Sequence, residues 1–246
     1  MTERPARIAL LIDADNSPAS KIDLILAEIA RYGSANIRRA YGNWKSASLV
    51  PWEKVLHEYA IRPIQQFDYS KGKNASDIAL IIDAMDLLYT QHIDAYCLVS
   101  SDSDFTPLVM RLRTSGAEVY GFGERKTPMP FVNACSRFIY LEGLSEPPTE
   151  GDDETAAASL PQPTAKTLRG DTRLVQLLRN AVEASAADDG WSHLGAVGNQ
   201  IANQASFDPR NYGYKKLSEL FGAIGLFDIR REDKVWFVRD KRSASR

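Results

Sequence analysis

At 246 residues, with 44% apolar and 25% charged side chains, the chain has the length for one large or two ordinary domains and the composition of a folded, soluble protein. Its net charge of −2 is unevenly spread: residues 1–144 hold 16 Lys and Arg against 17 Asp and Glu, residues 145–165 none against 5, and residues 166–246 hold 14 against 10. That balance excludes a strongly basic, nucleic-acid-coating protein; the last third leans towards phosphate, and only mildly.

In chain order, Arg4 and Arg7 precede an apolar run that Asp13 and Asp15 interrupt long before a bilayer could be spanned, so neither an export signal nor a membrane partner is expected. Strand-like and helical patterns then alternate. Strands are expected at 8–12, 37–41, 61–67, 95–100 and 118–122, with helices between them at 21–31, 52–59, 77–89 and 105–114. Such alternation predicts an α/β domain over residues 1–144, a central parallel sheet flanked by helices. Residues 145–165 hold one Leu as their only large apolar side chain and are rich in Pro, Glu, Asp and Thr, the composition of a flexible linker. Helices at 172–187, 193–204 and 214–224, then a β-hairpin at 227–238 that turns over 230–234, predict a small winged-helix domain over 166–246. Cys97 and Cys135 stand in unrelated segments; this suggests neither a disulfide framework nor a zinc site and makes a reducing cytoplasm the natural compartment.

Open parallel sheets bind ligands beyond the carboxyl ends of their strands, and the acids gather there. Asp13 and Asp15, with Asn16, follow the first strand; Asp102 and Asp104 follow Ser100 and Ser101 at the end of the 95–100 strand; Asp77 opens a helix. If those two strands are neighbours, the carboxylates converge on one rim, where mutual repulsion favours a bound cation. Oxygen-only ligands suit Mg²⁺ or Mn²⁺, which can polarise a phosphoryl oxygen, acidify an attacking water and steady a leaving alkoxide. Taken singly, each acid could be a turn residue or helix cap; what points to chemistry is that three segments place acids on one rim. Lys71 and Lys73, in a basic loop before Asp77, are candidates for holding substrate phosphate, and Tyr41, Asn43 and Trp44 either stack an unpaired base or pack in the core. Asp83 and Asp86 are expected to be solvated helix positions. His57, His92 and His193 are expected on the surface, and no Ser-His-Asp or Cys-His nucleophile arrangement competes.

The stretches LLIDADNSP, KGKNASDIALIIDAMDLLY, CLVSSDSDFTPLVMRLRTSGAEVYGFG and FVNACSRFIYLE, in this order over residues 6–143, resemble the NYN domain, of the LabA-like type within the PIN-like nuclease superfamily. The resemblance implies a PIN-like α/β fold and divalent-metal-dependent cleavage of RNA. It puts the catalytic and metal-holding acids at Asp13, Asp77, Asp102 and Asp104, with Asn16 as the accompanying polar residue of the first motif; Asn16, Lys73 and Ser101 are the candidate substrate contacts of this domain. LVQLLRNAVEAS, FDPRNYGYKKLSELFGAIGLFDI and VWFVRD resemble the OST-type helix-turn-helix, or LOTUS, domain. That implies RNA binding or docking to a protein partner. Arg210, Lys215 and Lys216, with the wing residues Arg230, Arg231 and Lys234, are its candidate phosphate contacts, while Tyr212, Tyr214, Leu217 and Phe221 are expected to pack inside.

The leading expectation is an endoribonuclease with Mg²⁺ or Mn²⁺ as cofactor and RNA as partner, the C-terminal module tethering substrate or a protein. A non-catalytic RNA- or protein-binding adaptor is the second reading. A phosphatase of the DxD type is the third, and the chain lacks the downstream lysine motif it would need.

Overall fold

A computed structural model describes residues 4–67, 74–144 and 162–243 of the chain. Two compact units emerge, Met1–Gly151 and Asp152–Arg246. The first is an α/β unit of six parallel strands: β1 (Arg7–Asp13), β2 (Ser34–Gly42), β3 (Arg62–Gln65), β4 (Ala95–Val99), β5 (Glu118–Gly123) and β6 (Arg137–Tyr140). Helices α1 (Ile22–Ile29), α2 (Val50–Leu56), α3 (Ala75–Thr90), α4 (Thr106–Thr114) and α5 (Met129–Ala134) lie between them in the chain.

Across the sheet the strands run β3-β2-β1-β4-β5-β6, so β1 and β4 are central neighbours and the winding direction reverses between them. A parallel sheet must be covered on both faces, and the alternation along β1 does this. Ile8, Leu10 and Ile12 pack with Ile22 and Ile25 of α1 and Trp52 of α2. Ala9 and Leu11 point the other way, into a core built with Leu80 and Leu87 of α3 and Leu108 and Leu112 of α4. All five β1 side chains are completely buried. At about 1.5–3 kcal/mol for each large one, they anchor the strand whose last residue is Asp13.

The patterned strands and helices of the first 123 residues form where the sequence places them. The pattern passed over α5 and β6, which are too short, at six and four residues, to establish a period.

The second unit contains α6 (Ala165–Gly170), α7 (Thr172–Ala184), β7 (Ser192–His193), α8 (Leu194–Gln204), α9 (Leu217–Ile224), β8 (Phe227–Glu232) and β9 (Val235–Asp240). Asp171 caps α7 by accepting from the Leu174 N–H at 2.9 Å. The carboxylate of Glu219 accepts from the N–H groups of Lys215 and Lys216 at 3.0 and 3.2 Å, which starts α9. The strands form a three-stranded sheet in the order β7-β9-β8, and its inner face packs Phe227 and Val238 against Leu178, Phe221 and Ile224. The hairpin turn is tighter than expected. Arg230 and Arg231 still belong to β8, and the chain reverses at Asp233 and Lys234, both with positive φ. Of the expected linker, residues 145–161 lie outside the described residues, and its last residue, Ala165, is already helical.

Candidate functional site

Asp13 ends β1 almost completely buried, 1% exposed. Two neighbours keep its carboxylate oriented. The Ser100 hydroxyl donates to Oδ2 at 2.7 Å, and the Asn16 amide donates to Oδ1 and Oδ2 at 3.2 and 3.1 Å. Ser100 Oγ also accepts from the Asp102 N–H at 3.1 Å, so one hydroxyl couples the ends of β1 and β4. Asp102 in turn accepts from the Asp104 N–H at 2.8 Å and caps the turn Ser103–Phe105, while the Asn74 amide donates to Asp104 at 3.2 Å. Here the cap reading holds for Asp102. Ser101 faces elsewhere: its hydroxyl accepts from the Glu124 N–H at 2.8 Å and ties the loop after β4 to the end of β5.

Asp77 sits in the first turn of α3 and is 7% exposed, with no hydrogen bond to its carboxylate among the described residues. Burial, followed by the negative charges of Asp13, Asp102, Asp15 and Asp104, pushes its pKa up to about 6. Burial also raises Asp13, against the lowering effect of the Ser100 and Asn16 hydrogen bonds. Asp77 thus feels the charges of the other acids. Among the described residues, however, no three His, Cys, Asp or Glu side chains are close enough to hold a metal ion. The two observations differ in range, since charges couple over many ångströms whereas a hard cation needs its oxygens within about 2.0–2.6 Å. Asp77, a buried carboxylate with no donor among the described residues and crowded by like charge, has the donor chemistry that suits such a cation.

The NYN domain model matches residues 7–142, more than half of the chain. The chain belongs to the NYN-domain family. The OST-HTH/LOTUS domain model matches residues 169–234. NYN domains are typically nucleases, and LOTUS domains bind RNA. An uncharacterized protein of Methanocaldococcus jannaschii is 29% identical over 122 residues, 48% of this chain and 47% of its own, so the chain spans about half the length of the curated relative it matches. Among solved structures, a protein of unknown function from Vibrio parahaemolyticus is 19% identical and has a TM-score of 0.45, with 57% of this chain and 95% of that one covered. An uncharacterized protein from Nitrosomonas europaea, solved by NMR, is 29% identical with a TM-score of 0.28, covering 38% of this chain and 91% of that one.

Within the NYN domain the structure corrects one expectation outright. Asp83 is not a solvated helix position: its carboxylate accepts from Arg39 and from the Tyr41 hydroxyl, both on β2, and is 22% exposed. Burial and the Asp83 charge hold the Tyr41 hydroxyl firmly in its neutral form. This network fastens α3 to β2 less than two turns beyond Asp77, while Tyr41 itself pairs in register with Asp13. Tyr41 is fully buried, and Trp44 packs against the core and donates to the Ile64 carbonyl at 3.0 Å; both take the packing role rather than base stacking. Gly123, at the end of β5, permits a close approach, since a Cβ there would lie 2.6 Å from the Ser100 carbonyl oxygen. Lys71 and Lys73 lie outside the described residues.

Ser100 is the residue that sequence reasoning missed as a functional candidate. Its signal was a Ser-Ser pair directly after a wholly apolar strand, where a hydroxyl can reach the neighbouring strand's last side chain. Asp83 gave no comparable signal, because a helical period places it on a face without saying what the adjacent strand offers.

In the LOTUS domain, Tyr214 and Phe221 are core residues, and Tyr212 and Leu217 pack against them. Arg210 is committed to Asp208 through Nε at 2.9 Å and Nη2 at 2.8 Å. Lys215, Lys216 and Lys234 are exposed. Arg230 pairs with Asp189 and Glu232, and Arg231 lies over the Trp236 ring. No helix among the described residues is long and apolar enough to cross a membrane.

Proposed function

We propose that the NYN domain is a divalent-metal-dependent endoribonuclease and that the LOTUS domain tethers its RNA. The observation that carries this reading is Asp77: a buried carboxylate, pushed up to about 6 by burial and by four neighbouring acids at the carboxyl edge of β1 and β4. Asp13, Asp77, Asp102 and Asp104 are the residues assigned to hold Mg²⁺ or Mn²⁺. The bound ion would polarise the scissile phosphoryl group and supply an attacking hydroxide at neutral pH.

The chain's own side chains orient and assist. Ser100 and Asn16 hold Asp13 in one rotamer, so that binding demands little reordering of it. Asp102 shapes the loop after β4 by capping it, and Asn74 steadies Asp104. Asp77 carries the proton that must leave before the rim reaches its full negative charge. Two other chemistries lack support here. A dinucleotide cofactor would need glycines and backbone N–H groups after β1, where this chain has Asp13, Asp15 and Asn16. An aspartyl-phosphate route would need a nucleophile open to attack, and Asp13 is 1% exposed. The cytoplasm remains the proposed compartment.

Labelled single-stranded and structured RNAs, incubated with the full chain in Mn²⁺ or Mg²⁺, test the reading. Metal-dependent internal cleavage that Asp102→Asn abolishes is the expected result. Tight RNA binding without turnover in any divalent metal would make the protein an adaptor, and cleavage indifferent to Asp102→Asn would remove the mechanism.

A further inference from the structure

The three-stranded sheet of the LOTUS domain has an outer face turned away from the core. By register, Arg230 of β8, Phe237 of β9 and His193 of β7 stand side by side on it, and Asp228 pairs with Arg239 one step along. Trp191, just before β7, completes the surface; the turn that delivers it contains Gly190 at positive φ, with Arg239 beside it. None of Trp191, His193 or Phe237 belongs to the core cluster, whose residues occupy the opposite face.

These side chains form one continuous run of planar groups. The Arg239 guanidinium lies 4.6 Å from the Trp191 ring centre, and that of Arg230 lies 4.2 Å from Trp191 and 5.4 Å from Phe237. His193 then meets Phe237 edge-on at 5.7 Å. Rings and carboxylates together hold the two guanidiniums: Arg230 Nε lies 3.3 Å from Glu232, and Arg239 Nη2 donates to Asp228 at 3.2 Å. Around this run stand Asp189, Glu232 and Asp228, paired with the two arginines at 3.2–3.5 Å.

A face with two cations and three acids does not attract a phosphate backbone. It offers planes to stack on and carboxylate oxygens that accept hydrogen bonds from exocyclic amino groups. The geometry points to a stacking platform for unpaired nucleobases of single-stranded RNA, bound by their faces and not by their phosphates. This rests on the reading that the LOTUS domain binds RNA, and it names the surface and the kind of nucleotide. The family match ends at residue 234, so Phe237 and Arg239 lie beyond it. RNA is the occupant argued here because the LOTUS domain model matches this unit and the face presents planar guanidinium and aromatic groups flanked by charge, not an apolar surface.

Fluorescence anisotropy of the full chain in EDTA, which blocks metal-dependent cleavage, tests the platform. The probe is a fluorescein-labelled, purine-rich single-stranded RNA of about a dozen nucleotides, matched by its duplex. Two variants preserve size or charge while removing a plane: Phe237→Leu and Arg230→Lys. Each is expected to weaken single-strand binding about 10-fold or more, with a thermal melt like wild type and a shallow, unchanged salt slope. Equal affinity for the duplex, wild-type binding by both variants, or a slope signifying many released counterions would overturn the proposal. So would variants that keep RNA binding and lose a polypeptide ligand, which would make the face a protein-docking site. Absence of RNA binding by the wild-type chain is a separate result, one that removes the LOTUS–RNA reading itself.

Discussion

The NYN rim and the outer face of the LOTUS sheet hold their charged groups in opposite conditions. On the rim, the charges of Asp13, Asp102, Asp15 and Asp104 oppose the ionisation of buried Asp77, which bears the electrostatic cost. On the LOTUS face, both guanidiniums are matched by carboxylates and laid over rings. The first arrangement is one that the proposed cation would relieve, so ligand binding there should be strongly linked to stability and pH. The second is satisfied as it stands, and what it offers a ligand is shape and π-surface. The contrast follows from a general rule: crowded like charges in a folded protein point to a counter-charge, whereas paired charges point to structure.

The largest effects should break the rim. Asp13→Asn or Asp77→Asn is expected to lower cleavage by at least ~10²-fold, the scale of losing one preorganised charged group in an active site. The same Asp77→Asn substitution should raise the melting temperature in EDTA at pH 7.5, because it removes a charge that burial and four acids oppose. Thermal melts and cleavage assays on one preparation read both. A variant that is inactive and also less stable would contradict the claim that Asp77 is held against its electrostatic preference.

The pH dependence has a definite sign. Asp77 titrates near 6 in the folded chain against an ordinary 3.8, so between those values the folded state binds more protons than the unfolded. Stability in EDTA should therefore fall as pH rises from about 4 through 6, and Mn²⁺ should restore it mainly above 6. Cleavage should climb over the same range as Asp77 loses its proton. A melting temperature flat across this window, with and without Mn²⁺, would refute the linkage.

Effects of the supporting residues should be smaller. Ser100→Ala removes the 2.7 Å bond to Asp13 and the acceptor for the Asp102 N–H, and a loss of about 10–100-fold in cleavage is expected. Asp83→Asn weakens the tie between α3 and β2, with an expected cost of about 2 kcal/mol in urea denaturation, since it deprives Arg39 of its partner in a half-buried site. If Ser100→Ala cleaves as wild type, Asp13 is oriented by something other than the β4 hydroxyl.

How far these two regions were legible in the sequence differs for physical reasons. The rim was largely visible, because an apolar strand that ends in acid is a local pattern and parallel sheets concentrate ligands at such ends. What the local pattern lacked was strand order: placing β1 beside β4 turned Ser100 from a loop residue into the partner of Asp13. Asp83 escaped because its partners, Arg39 and Tyr41, lie more than forty residues away in the chain. Arg230 and Arg231 are read from the sequence as candidate phosphate contacts, and the cross-strand register that sets a ring beside each, Phe237 on the outer face and Trp236 on the other, can be seen only once the hairpin turn is fixed at Asp233 and Lys234.

That turn gives the smallest prediction and the finest test of the contrast. Asp233 and Lys234 have φ of 43° and 72°, the left-handed region that two-residue hairpin turns favour and for which Asn-Gly or Asp-Gly is the preferred pair. Lys234→Gly should relieve strain at the second position, partly offset by the greater freedom of glycine in the unfolded chain, for a net gain of about 0.5–1 kcal/mol in denaturant unfolding. The same variant removes an exposed cation at the wing tip. If the LOTUS face binds RNA through stacked bases, affinity should stay within about twofold and the salt slope should hold. A slope shallower by about one unit would instead make Lys234 a phosphate contact and move the RNA backbone onto the wing tip.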